Sequence, residues 1–114
     1  LAEVRFVLVC LVLAACKQPV PADSKDGEAI YAAYCASCHG PDGRPPAAMI
    51  ARLGVRDLTL PELRQRVTAE LVARQIKKGS DNKLMPSFDG VLHDVQITAV
   101  AKWVADQAFV TPRP

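Results

Sequence analysis

Large aromatic side chains are scarce in this sequence: one Trp, two Tyr and three Phe are spread over 114 residues. A chain this short forms one domain at most, and with so few aromatics its core stays small unless something else fills it. Charge of one sign is scarce too. A formal net charge of +2, with no dense Lys/Arg block and no aromatics interleaved with basic residues, excludes a nucleic-acid surface. No stretch alternates apolar and polar residues as a strand does. No apolar run reaches the roughly 18–20 residues that a membrane-spanning helix needs.

What is present begins at the N-terminus. Arg5 is followed by an unbroken apolar run from Phe6 to Ala15, too short to span a bilayer but suited to a signal peptide. The run ends in Leu13-Ala14-Ala15-Cys16, which resembles a bacterial lipobox, so residues 1–16 read as a lipoprotein signal with Cys16 as the acylated mature N-terminus. Residues 17–26, KQPVPADSKD, carry two prolines and no periodicity and read as a tether. At about 3.3 Å per residue such a tether reaches roughly 30 Å. Residues 27–110 are then the folded domain.

Cysteine use sharpens the picture, because Cys10 falls in the discarded run and Cys16 goes to lipid. Only Cys35 and Cys38 remain in the domain, which excludes a scaffold of several disulfides. Export places this pair in an oxidising compartment, where it is either oxidised or committed to a cofactor.

Cys35-Ala36-Ser37-Cys38-His39 decides between these. A helix starting near Asp26 places Ile30, Tyr31, Tyr34, Cys35 and Cys38 on one side, with CxxCH at its C-terminal end. Residues i, i+3 and i+4 share a helical face, so two thiols can add to the two vinyl groups along one haem edge while the histidine presents a ring nitrogen to the iron. CxxCH is the attachment signal for c-type haem. A zinc ribbon would need a second CxxC or a close histidine pair, and only His93 remains, far off in sequence. A thioredoxin-like pair would need a preceding strand, and none is evident.

On CASCHGPDG at residues 35–43, KLMPSF at residues 83–88 and a terminal helix containing Trp103, the chain resembles the class I cytochromes c over about Gly27 to Ala108. Gly27 followed by Tyr31 is similar to the family's crossing of first and last helices. The resemblance implies an all-α cytochrome c fold wrapped round one haem c. It implies thioethers at Cys35 and Cys38, His39 as proximal iron ligand and Met85 as distal ligand, and a proline carbonyl, Pro45 or Pro46, orienting His39. A thioether is a soft ligand that raises the potential, and Pro86 keeps Met85 out of helical dihedrals, which agrees with the distal role. Met49 and His93 are the alternatives, His93 more naturally capping the last helix or facing solvent. Arg44, Arg52 and Arg56 are conceivable propionate partners, none singled out.

Beyond the haem motif, Thr59-Leu60-Pro61-Glu62 has a capping-box pattern, and Thr68 can cap a helix that ends at Lys78 before Gly79 with an apolar face of Leu71, Val72 and Ile76. The final helix, about Asp94 to Phe109, is expected to bury Ile97, Val100, Ala101 and Val104. The expected function is single-electron transfer, without catalysis, between membrane-bound partners in a bacterial respiratory or related redox chain; the alternative is an open-site haem enzyme or gas sensor. Lys77, Lys78 and Lys83 form a basic rim suited to an acidic partner. Localisation is expected on the periplasmic side of a membrane, and Lys17 after the lipidated cysteine favours the outer one.

Overall fold

The computed structural model describes residues 19–107 and Phe109, so the apolar run, Cys16 and the start of the tether lie outside the described residues. Six helices follow: α1 (Gly27–Tyr34), α2 (Ala36–His39), α3 (Ala47–Leu53), α4 (Pro61–Arg64), α5 (Ala69–Lys78) and α6 (Asp94–Asp106). Among the described residues there is no strand, only an isolated bridge between Asp89 and Leu92, and no helix is long and apolar enough to cross a membrane.

Capping chemistry sets the ends of the main helices. Asp26 accepts the Ala29 N–H at the start of α1, and Thr68 accepts the Leu71 N–H at the start of α5. Gly79 closes α5 with a positive φ of 73°, its N–H bonded to the Gln75 carbonyl. The Thr59 capping box does not form. Thr59 instead donates its hydroxyl to Asp57 at 2.6 Å, and Leu60 becomes the N-cap of a single turn that Pro61 opens. Helix α3 lies between Pro46, before an alanine-rich run, and Gly54 after it, which are start and stop signals.

The core joins α1, α5 and α6: Ile30, Tyr31, Ile76, Leu92, Ile97, Val100, Ala101 and Val104 are buried. All four residues expected inside the last helix are there, and Ile76 is the buried member of the α5 face, whereas Leu71 stays exposed. Helix α1 crosses α6 at Gly27, where a Cβ would lie 2.5 Å from both the Ala99 carbonyl oxygen and the Trp103 Cβ. Only glycine admits this approach. One turn on, Tyr31 stacks in tilted fashion on Trp103 with ring centroids 4.9 Å apart, and Phe109 joins them at 5.8 and 5.6 Å. Helix α6 stops at Asp106, short of the expected Phe109, because Arg64 Nη2 reaches its end and donates to the carbonyls of Val104, Ala105 and Gln107 at 3.1, 2.9 and 2.6 Å.

Before α1 the chain is held from Val20 onward. Val20 packs on the core, and the Pro21 carbonyl accepts the side-chain amide of Gln96, the one buried polar residue among those described.

Candidate haem-binding site

The first helix of the sequence reading is split. Cys35 sits between α1 and α2 with φ −119° and ψ −36°, while the backbone ladder continues through it, Cys35 N–H to Tyr31 and His39 N–H to Cys35, both at 2.9 Å. The Tyr31 hydroxyl donates to the Gly40 carbonyl at 2.7 Å and holds the terminal turn back against α1. Burial pushes the Tyr31 hydroxyl well above the usual tyrosine range, reinforced by Cys35 and partly offset by the Gly43 N–H. Cys35 and Cys38 are free, half-buried thiols. Burial, and secondarily the neighbouring Cys38, pushes the Cys35 thiol up to about 11.

His39 is held in one tautomer. Its Nδ1 lies 3.1 Å from the Arg56 carbonyl oxygen, which can only accept, so Nδ1 carries the proton and Nε2 keeps its lone pair. Burial lowers the imidazole pKa, with the Arg56 carbonyl pulling the other way, and keeps the ring neutral. The orienting carbonyl is thus that of Arg56, which corrects the expectation of Pro45 or Pro46. The reason is topological. The Leu58 N–H bonds back to the Gly43 carbonyl at 2.8 Å and closes the loop, and Asp57 accepts the Thr59 N–H at 2.8 Å, so Arg56 is turned towards His39. Pro45 is buried and Pro46 caps α3. The guanidinium groups of Arg44, Arg52 and Arg56 all belong to exposed residues.

The segment after α5 is self-supporting. The Ser80 N–H donates to the Met85 carbonyl and the Met85 N–H to Ser80 Oγ, both at 3.0 Å. Asn82 Oδ1 accepts the Ser80 hydroxyl at 2.6 Å and the Leu84 N–H at 3.1 Å. Lys83 makes the tight corner with φ +62°, alone among the described non-glycine residues in that region. Below the loop, a Cβ on Gly79 would lie 2.6 Å from the Met85 carbonyl oxygen, so the close approach requires glycine. The Phe88 N–H bonds to the Ile76 carbonyl at 2.9 Å and anchors the far side.

One shared packing surface and one ring contact relate these segments. Cys35 and Met85 pack against the same buried cluster. Tyr34, next to Cys35, meets Phe88, three residues past Met85, edge to face at 6.3 Å. Met49, on α3, does not pack against that cluster, and His93 is the exposed N-cap of α6. Tyr34, Ile50, Leu53, Leu60, Leu71 and Leu84 remain 36 to 52% exposed. Two thiols on one turn, a neutral imidazole with a free lone pair and large uncovered apolar side chains fit a flat, apolar macrocycle. No three His, Cys, Asp or Glu side chains converge on a metal-sized site among the described residues.

The family model for cytochrome c oxidase, cbb3-type, subunit III matches residues 22–104. Cytochrome c6 of Picosynechococcus sp. (strain ATCC 27264 / PCC 7002 / PR-6) is 35% identical over 92 residues, 76% of this chain and 75% of the relative. Cytochrome c6 of Thermosynechococcus vestitus (strain NIES-2133 / IAM M-273 / BP-1) is 28% identical over 109 residues, 91% of this chain and 92% of the relative. Among solved structures, the KustC0563 c-type cytochrome is similar with a TM-score of 0.62 at 29% identity, covering 70% of this chain and 94% of that one. Fold and site therefore define a class I c-type cytochrome, a haem-based electron carrier with covalently bound haem c. The chain belongs to the family of the cbb3-type cytochrome c oxidase subunit III domain.

Proposed function

We propose that this protein shuttles single electrons in a bacterial respiratory or related redox chain, its haem held by thioethers at Cys35 and Cys38 and its iron ligated by His39 and Met85. The observation that carries this reading is the packing of Cys35 and Met85 on one cluster, with Tyr34 and Phe88 joining their segments. When bound, the haem supplies a one-electron iron couple. The chain supplies the rest. Arg56 holds the His39 proton on Nδ1 and so keeps Nε2 available, and the Ser80–Met85 bonds hold the thioether loop in place. A loop that is already hydrogen-bonded reorganises little when charge changes.

We further read Cys16 as a lipid anchor on the periplasmic side of a membrane, the outer membrane favoured, and membrane-bound redox proteins as partners. The basic rim is weaker than its composition implies. Lys77 pairs with Asp94 at 2.7 Å and Lys78 with Asp81 at 3.3 Å, both well exposed, so among the three lysines only Lys83 makes no ion pair with another described residue. An acidic partner docking there would show a modest salt dependence.

Met85→Ala tests the ligation. The variant should keep its covalent haem, lose the sulfur-to-iron charge-transfer band of the oxidised form, drop in potential and bind carbon monoxide when reduced. Loss of the band in Met49→Ala but not in Met85→Ala would reassign the ligand. A wild type that lacks the band and binds carbon monoxide quickly would favour the open-site enzyme or sensor.

A further inference from the structure

The N-terminal segment is clamped to the domain at a point close to the anchor in sequence. Gln96 is 2% exposed, and both ends of its amide are used: Oε1 accepts the His93 N–H at 2.9 Å and Nε2 donates to the Pro21 carbonyl at 3.0 Å. Across 75 residues of sequence, one side chain thus ties the incoming chain to the N-terminal end of α6. Val20 adds an apolar contact to the same attachment by packing on the core. The Ser24 N–H returns to the Pro21 carbonyl at 3.0 Å and turns the chain there.

From Cys16 to Val20 there are four Cα steps, which span about 14 Å at most. An acylated Cys16 therefore cannot lie far from the clamp. From Gln96 to Asp106 is ten residues of α6, about 15 Å, at the limit of that reach. The short remaining tether thus keeps an anchor nearer the clamped end of the helix than its far end. The end that carries the clamp also carries the turn after Phe88, where Val91 is 58% exposed two residues before His93, and the Lys77–Asp94 pair. An exposed branched apolar side chain is suited to insertion at a lipid headgroup layer.

Resting on the anchored reading above, we propose that the Gln96 clamp orients the domain on the bilayer, with the α6 N-terminal end and Val91 facing the lipid surface. A free tether of ten residues would let the domain tumble. The clamp instead presents the loop from Met85 to His93 close to the membrane plane, where an electron partner embedded in the same membrane can meet it.

The test uses the lipidated, haem-loaded chain in vesicles of phosphatidylethanolamine and phosphatidylglycerol, with and without spin-labelled headgroups. A fluorophore is placed on Val91→Cys or on Asp106→Cys. The ratio of emission with and without the spin label cancels the haem's own quenching. Headgroup quenching should be several-fold stronger at position 91 than at 106. The contrast should collapse in Gln96→Leu, and also when about twelve Gly/Ser residues are inserted after Gln18, a change that leaves the fold untouched. Equal quenching at both positions in vesicle-bound wild type would overturn the orientation while leaving the anchor intact. Wild type that behaves like Cys16→Ser and stays off the vesicles would overturn the anchored reading and the orientation with it.

Discussion

Tyr31 is the residue on which most of the local arrangement converges. Its ring fills the crossing of α1 and α6 against Trp103 and Phe109, and its hydroxyl holds the Gly40 carbonyl behind the CxxCH turn. Because burial raises its pKa, the folded state keeps the Tyr31 proton at a pH where the unfolded chain has begun to lose it. The contribution is complete below the unfolded value of about 10 and declines as pH rises above it. In denaturant titrations of the holoprotein, wild type should therefore lose stability above pH 10 more steeply than Tyr31→Phe. At neutral pH the variant should be less stable by about 1–3 kcal/mol, since the Gly40 carbonyl is left without its donor. Parallel slopes would show that another group carries the alkaline transition. His39 shows how a single carbonyl does its work unseen in the sequence: the Arg56 side chain drew attention, but the backbone oxygen is what meets the imidazole.

At the scale of elements, the last helix is terminated from outside. Arg64 arrives from the short turn α4 and donates through one nitrogen to three carbonyls at the C-terminus of α6, with its guanidinium 5.6 Å from the Phe109 ring centroid. A cation there opposes the partial negative charge of the helix end. Arg64→Met should destabilise the holoprotein by about 1–3 kcal/mol and raise amide exchange at residues 104–107, with the haem spectrum unchanged. An altered axial-ligand spectrum would mean that α4 supports the iron site as well. Helix α3 makes a different point. Its start and stop residues stand in the sequence, yet seven residues with exposed Ile50 and Leu53 carry no periodicity long enough to read.

For the molecule as a whole, eight buried apolar residues among those described make a small core, and several large apolar side chains stay uncovered, among them Tyr34 next to Cys35 and Leu84 next to Met85. Burying a macrocycle against them supplies the missing apolar contact, so folding and haem attachment are coupled. Protein made without the attachment machinery should have little fixed helix in circular dichroism and melt without a cooperative transition. A native-like helical spectrum with a sharp melt would show that the eight-residue core suffices alone.

Motif chemistry and the caps of α5 were legible along the chain because they act over a few residues, whereas the Thr59 pattern was drawn off by Asp57. CxxCH requires one helical turn, Thr68 and Gly79 bracket α5 by local hydrogen bonds, and Ile97, Val100, Ala101 and Val104 reveal the buried face of α6 by spacing alone. Gly27 and Tyr31 were readable as a crossing through their likeness to a known pattern, which the 2.5 Å approach explains. Tertiary structure alone decided whatever joins distant positions through the backbone. The Arg56 carbonyl faces His39 only because the Gly43–Leu58 bond closes the loop between them. Arg64 ends α6, Gln96 captures Pro21, and Lys77 and Lys78 lose much of their field to Asp94 and Asp81. A side chain's identity shows what it can donate or accept, but which carbonyl comes within 3 Å of it depends on the path of the whole chain.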